Sequence, residues 1–235
     1  MIVAATDILD YERIMNGLQS PYMYGDELRL DLLRLIPVDG KTIGSIGCGT
    51  GITELELVKQ GREVHGVDSS EFAIEIAKPR LTSARVVRPD EIRVFSHGSL
   101  DGLILADVLE HMPSAWDRLA EYARMVKPGG WVVISTPNMR HWTAILRFFV
   151  LGDWPERNWG IFDKTHVQMM SKRRLRRWCL RAGLEIERWY DRYDPDVRNY
   201  RISRTLDLLT FRLLHGLFQF QLQCVCRTER RAKIN

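Results

Sequence analysis

Two acids and two histidines are of the types that move protons or hold a cation. In Leu105-Ala106-Asp107-Val108-Leu109-Glu110-His111 the two acids and the imidazole fall at i, i+3 and i+4, one face if a helix begins there. His166 lies far downstream in Asp163-Lys164-Thr165-His166. Neutral imidazole is the usual proton acceptor near pH 7, so His111 and His166 are candidate general bases for a sugar or alcohol hydroxyl. Asp107, Glu110, His111 and His166 together are also a donor set for a divalent metal that orients two oxygens. Against both stands a structural role, in which Glu110 and His111 cap or orient a helix.

A second group is built for binding. Ile46-Gly47-Cys48-Gly49-Thr50-Gly51 places glycines at alternate positions, where the missing Cβ lets backbone approach a ligand closely. A dinucleotide fingerprint would need glycine three positions after Gly49, where Ile52 stands. Asp68, 17 residues after Gly51 and followed by Ser69, ends the next apolar run and can accept hydrogen bonds from ribose hydroxyls. Asp107 ends a later run, and the Lys127-Pro128-Gly129-Gly130 turn is a fourth marker. In open α/β sheets a ligand crevice lies at the carboxyl ends of the strands.

The elements that must carry these residues alternate. Strands are predicted at Lys41–Ile46, Glu63–Val67, Arg85–Val87, Leu103–Ala106, Trp131–Ser135, Leu184–Trp189 and Phe218–Cys226. Helices are predicted at Asp26–Leu35 (Leu28, Leu32, Leu33 and Leu35 inward), Ile52–Gln60, Glu71–Lys78, Trp116–Val126 and near Ile202–Leu214. This pattern predicts one α/β domain over residues 1–235, a parallel sheet with helices on both faces, and an N-terminal helical cap over 1–36. From 137 to 171 the alternation breaks in a segment rich in Trp, Phe, His and Asp, too long for an ordinary connection. It reads as an inserted substrate cover. Arg140, Trp142, Trp154, Trp159 and Phe162 can stack on a sugar or aromatic ring, and Arg157 or Lys164 can meet a phosphate; the competing reading makes the aromatics the insert's own small core.

Composition sets outer limits. The chain is 45% hydrophobic and 27% charged with a net charge of +4, ordinary values for a folded domain. Lys172, Arg173, Arg174, Arg176, Arg177 and Arg181 crowd one stretch, either a solvated helix face or an attraction for phosphate, nucleic acid or an acidic membrane. Leu175, Trp178, Cys179 and Ala182 between them have the spacing of an inward stripe. Cys48, Cys179, Cys224 and Cys226 form neither C-x-x-C nor a disulfide framework and read as reduced cytosolic thiols. No secretory signal or transmembrane span is expected: Trp142–Leu151 is short and carries Arg147, and Leu206–Leu222 carries Asp207, Arg212 and His215. The expected location is cytoplasmic, with peripheral membrane contact allowed.

Together, the segments "DVLEH", "KPGG", "STPNMRHW" and "FDKTH" with the glycine loop resemble the class I S-adenosylmethionine-dependent methyltransferases of the ubiquinone-biosynthesis-like type, closer still to bacterial members found with surface-polysaccharide enzymes. The resemblance spans most of the chain from Tyr22 to Trp189. It implies a Rossmann-like, doubly wound, seven-stranded sheet with its last strand antiparallel, and S-adenosylmethionine as methyl donor. It also implies that Gly47, Cys48, Gly49 and Gly51 line the methionine part, Asp68 and Ser69 the ribose, Asp90 the adenine, and Asp107 the rest of the cofactor crevice. Some related O-methyltransferases hold a divalent metal at the equivalent acids and histidines. One departure matters: the family has an acid where Ser45 stands, and that carboxylate helps hold the cofactor's ammonium group. Its absence predicts weaker binding or a substitute.

The implied activity is O-methylation of a hydroxyl on a small molecule or glycan. Nothing resembles the Asn/Asp-Pro-Pro-Tyr signature of nucleic-acid amino methylation, so a nucleic-acid base is not the expected acceptor. Three rivals remain. A quinol or lipid-like aromatic acceptor would use the apolar stretches Ile145–Leu151 and Phe211–Phe220 as an entrance; Ser45 suggests an inactive cofactor-binding partner; the basic stretch suggests RNA 2′-hydroxyl methylation with salt-sensitive binding.

Overall fold

Parallel strands buried on both faces must be apolar on both faces, and the central strands satisfy this. The computed structural model describes residues 27–193 and 195–229. Its seven strands are β1 (Thr42–Ile46), β2 (Glu63–Asp68), β3 (Ser83–Val86), β4 (Leu100–Ala106), β5 (Val126–Pro137), β6 (Leu184–Arg192) and β7 (Gln221–Thr228). They form one sheet in the order β3-β2-β1-β4-β5-β7-β6, parallel except for β7, which runs antiparallel to both its neighbours. Leu103 and Leu105 of β4, Val132 and Ile134 of β5, and Cys224 and Cys226 of β7 face one core; Ile104, Val133 and Val225 face the other. The helices between them are α1 (Leu30–Leu33), α2 (Ile52–Lys59), α3 (Glu71–Ala77), α4 (Ala115–Met125), α5 (Trp142–Ile145), α6 (Lys172–Arg181), α7 (Val197–Leu209) and α8 (His215–Phe218).

The doubly wound order reverses between β1 and β4, so the loops leaving their carboxyl ends diverge and open a crevice there. Trp131, fully buried, lies across the sheet beside Gly102, where any Cβ would run into its ring, and donates Nε1–H to Asp39 O at 2.8 Å. The inward stripe of α6 is as its spacing predicts: Leu175, Trp178 and Cys179 are buried. The four cysteines are free and buried.

Several expectations are corrected. Of the predicted cap, residues 1–26 lie outside the described residues, and only Leu30–Leu33 of the helix forms, with Leu28 exposed. Arg29 precedes it in a non-helical conformation, its N–H bound to Thr53 Oγ1 at 3.0 Å. The Lys127–Gly130 turn lies at the amino end of β5, where Lys127 Nζ meets Asp101 at 2.6 Å, opposite the crevice. α7 starts earlier than predicted because Asp196 caps it, accepting from Asn199 N–H at 2.9 Å; left-handed Phe211 and Arg212 follow its end. Residues 215–218 are helical, so β7 begins only at Gln221. Among the described residues no helix is long and apolar enough to cross a membrane.

Candidate active site

The loop after β1 is shaped by its glycines. Gly47, Gly49 and Gly51 have φ of 71°, 53° and 71°, a left-handed backbone that side chains with a Cβ rarely adopt. A Cβ at Gly47 would also collide with Val108 Cγ2, so the loop after β1 and the loop after β4 are in contact. Gly47 and Cys48 donate their N–H groups to Val67 O at 2.8 and 3.1 Å. Asp68, at the end of β2, accepts from Gly49 N–H on Oδ2 and Ser70 N–H on Oδ1, both at 2.9 Å. Only backbone at position 48 can meet a ligand, because the Cys48 side chain packs under Gly66. Ser69 is exposed beside Asp68. Val87 N–H binds Asp68 O at 2.9 Å, so the chain after β3 starts beside Asp68; Asp90 lies three residues on, exposed and paired with Arg88 at 3.4 Å. This cradle of bare backbone with a fixed carboxylate fits an adenosyl-methionine ligand.

Asp107 stands apart from the other three candidate donors. Its φ of 53° turns the chain instead of starting a helix, and Leu109–His111 forms a single 3₁₀ turn. The Asp107 carboxylate forms an ion pair with Arg29 and accepts from Ser135 Oγ and Gln221 Nε2, each at 3.0 Å. Arg29 also grips Asp31 at 2.9 Å, and Arg192 reaches Asp31 at 2.8 Å. Burial pushes Asp31 up, but the hydrogen bond and charge of Arg29 and the charge of Arg192 outweigh it and hold Asp31 at about 2. The network bolts α1 to β4, β5, β6 and β7 across the crevice.

The remaining three residues do converge. One ligand atom each from Glu110, His111 and His166 lies within 4.8 Å of the others, and the two imidazoles stand 4.8 Å apart, centre to centre. Glu110 is 1% exposed; Thr136 Oγ1 donates to its Oε2 at 3.1 Å, and Oε1 has no partner. Burial, then the nearby Asp107 charge, pushes its carboxyl well up. His166 Nδ1 is likewise buried without a partner, and burial followed by the charge of His111 lowers its basicity. The insert is pinned here because Val167 and Gln168 N–H both donate to Glu110 O, at 2.9 and 3.0 Å.

Asp163 and Thr165, which the sequence did not single out, orient His111. Thr165 Oγ1 donates to Asp163 Oδ1 at 2.6 Å and stands 3.0 Å from His111 Nδ1. With its proton committed to Asp163, Thr165 accepts from His111, which places the imidazole proton on Nδ1 and leaves the Nε2 lone pair free. Two adjacent unpartnered buried atoms, in a carboxylate and an imidazole, with a second imidazole beside them, fit a divalent cation of mixed nitrogen and oxygen preference.

The predicted stacking residues separate. Phe162 is buried with Ala144 and Ile161 against Met139, Trp154 and Phe220, so its ring belongs to the insert's own core. Trp142 donates Nε1–H to Ser203 Oγ of α7 at 2.9 Å. Trp159 and Arg140 are exposed, and Arg157 stands over the Trp159 and Phe162 rings at about 6 Å. In the basic stretch, Lys172 lies over Trp189 and Arg174 over Trp178, while Arg173, Arg176, Arg177 and Arg181 are exposed.

Comparison with known proteins agrees with this geometry. Residues 22–188 match a methyltransferase domain family. The ubiquinone biosynthesis O-methyltransferase of Thiobacillus denitrificans is 30% identical over 183 residues, covering 73% of this chain and 77% of that protein. The corresponding protein of an Azoarcus species is 31% identical over 179 residues, covering 72% and 75%. In fold, a methyltransferase of this cofactor class from Methanosarcina mazei superposes with a TM-score of 0.59 at 18% identity, covering 87% of this chain and all of its own, 100%. One from Mesorhizobium loti gives 0.60 at 18%, covering 84% and 95%. A glycine cradle with a carboxylate fixed beside it and a matching domain across most of the chain lead to one conclusion: the chain belongs to the methyltransferase domain family and is an S-adenosylmethionine-dependent methyltransferase.

Proposed function

We propose that this enzyme methylates a hydroxyl oxygen of a small molecule or glycan in the cytosol, with His111 as proton acceptor and Asp68 and the Gly47–Gly51 loop holding the donor. The carrying observation is the group of Glu110, His111 and His166, with two buried atoms left without partners beside a loop that touches Gly47. When bound, S-adenosylmethionine supplies an electrophilic methyl group, which a nucleophile must approach in line. A sugar or phenolic hydroxyl must lose its proton as it attacks, and the free Nε2 of His111 accepts it. Asp163, acting through Thr165, steadies the imidazolium that results. Glu110 and His166, whose unpartnered atoms lie beside His111, would hold a divalent cation, which would acidify the acceptor hydroxyl and leave His111 Nε2 free for the proton. The insert acts as the cover, with Trp159 and Arg140 free to meet the acceptor.

A specific observation favours a second reading of the acceptor. Phe149, Val150, Phe211 and Leu213 are each at least 70% exposed, on segments that continue α5 and α7, and those helices are joined by the Trp142–Ser203 bond. An apolar surface of this kind suits a membrane boundary and an acceptor dissolved in it, such as a quinol. The test is methyl transfer from labelled donor to two acceptor panels: sugar nucleotides and glycans in buffer, and alkylated catechols with and without vesicles. Each is run with and without a chelator and with His111→Ala. Transfer to oxygen that His111→Ala abolishes supports the reading. Equal activity of the variant, or methylation at nitrogen or carbon only, removes it.

A further inference from the structure

Directly beneath the glycine loop, α2 turns an acid inward. Thr53, Glu54 and Leu57 form its buried face, and Glu54 is 6% exposed. Its Oε1 accepts from Ser45 Oγ of β1 at 2.7 Å, so the carboxylate fills the space just beyond the side chain of residue 45. Among the described residues Ser45 is its one side-chain hydrogen-bond partner and no Lys, Arg or His pairs with it. The charge that acts on it is that of Asp68, of the same sign. A buried carboxylate with one hydroxyl donor and an acidic neighbour is unfavourable in the ligand-free protein and becomes favourable once a cation arrives. The ligand of this loop carries an ammonium group. Were α2 purely structural, an apolar residue at 54 would pack against β1 without that cost.

We propose that Glu54 is the anionic partner of the cofactor's ammonium group, delivered from α2 to the place that β1 leaves to Ser45. The inference rests on the cofactor assignment and goes beyond it in naming the residue. Two ligands separate the two. S-adenosylhomocysteine carries the ammonium group and no sulfonium charge; 5′-methylthioadenosine keeps the adenosine and the thioether but lacks the amino-acid end. Both are titrated calorimetrically into the full chain, into Glu54→Gln, and into the exchange variant S45D/E54Q, which returns the carboxylate to β1. Loss of one charge-assisted hydrogen bond predicts that Glu54→Gln binds S-adenosylhomocysteine about ten- to hundredfold more weakly. Methylthioadenosine should bind unchanged, which also certifies the fold of the variant, and the exchange variant should recover most of the loss. Unchanged S-adenosylhomocysteine affinity, or an equal loss of both ligands, overturns the assignment to Glu54 while leaving the cofactor reading in place. Failure of the unaltered protein to bind either ligand removes the cofactor reading and Glu54 with it.

Discussion

Around the glycine loop the backbone is tied to strands: Gly47 and Cys48 to Val67, Gly49 to the Asp68 carboxylate, Val87 to Asp68 O. The insert has no strand beneath most of its length. A helical turn at Trp142–Ile145, a π-helical turn at Leu146–Val150 and a 3₁₀ turn at Gly160–Phe162 close over only three buried apolar residues, with Phe148, Phe149 and Val150 exposed. It is anchored at both ends, where Asn138 N–H binds Phe220 O at 3.0 Å and where Val167 and Gln168 bind Glu110 O. A site that receives one fixed molecule can be built into the sheet. On the reading proposed above, the acceptor is admitted and released by a segment with little core of its own, which opens at low free-energy cost.

Substitutions break or sharpen that contrast. The largest effect is expected where the two regions meet: His111→Ala should lower kcat by about a thousandfold while leaving donor affinity unchanged in a calorimetric titration. Asp68→Ala should do the reverse to first order, weakening donor binding by about a hundredfold, because it removes the ribose partner and the acceptor that fixes Gly49 and Ser70. In the insert, Phe162→Ala empties a small core and should cost about 3 kcal/mol locally. Hydrogen exchange should then quicken across 142–162 and stay slow in β1 and β2, and equal loosening of both would erase the contrast.

The next effect is a pH dependence. Burial, and then the Asp68 charge, raises the Glu54 carboxyl above its ordinary 4.5 in the folded chain. The folded state therefore binds that proton more tightly, a contribution present below pH 4.5 and lost as pH rises through the folded value. Glu54→Gln, neutral throughout, keeps it, so without ligand the variant should gain stability relative to the parent as melts move from pH 4 to pH 8. A constant difference in Tm would contradict the shift. The smallest effect belongs to the surface: Phe149→Ser should change stability by less than about 0.5 kcal/mol yet reduce sedimentation with vesicles.

What could be read beforehand follows from range. Glycine spacing, short apolar runs and an acid after one of them are local, so the loop, Asp68 and the alternation of strands with helices were legible. Pairings between distant positions were not. Nothing near Asp107 announces Arg29, 78 positions earlier, and nothing near His111 announces Thr165, 54 later. Phe162 and Trp159 share a segment and a residue class, yet one is core and the other surface, because small cores are settled by contacts that composition does not encode. Glu54 did leave a trace: an acid three positions before the buried Leu57 falls on the inward face of α2.

The thiols have a practical consequence. Cys179, Cys224 and Cys226 lie with sulfur atoms 3.8 to 3.9 Å apart along the contact of α6 with β7, fully shielded, and Cys48 is only 5% exposed. A reagent reaches the three clustered sulfurs only when the contact of α6 with β7 parts. The rate at which a thiol probe reacts with them therefore counts openings of that contact, and donor added in solution should slow the clock only where the glycine loop opens with it.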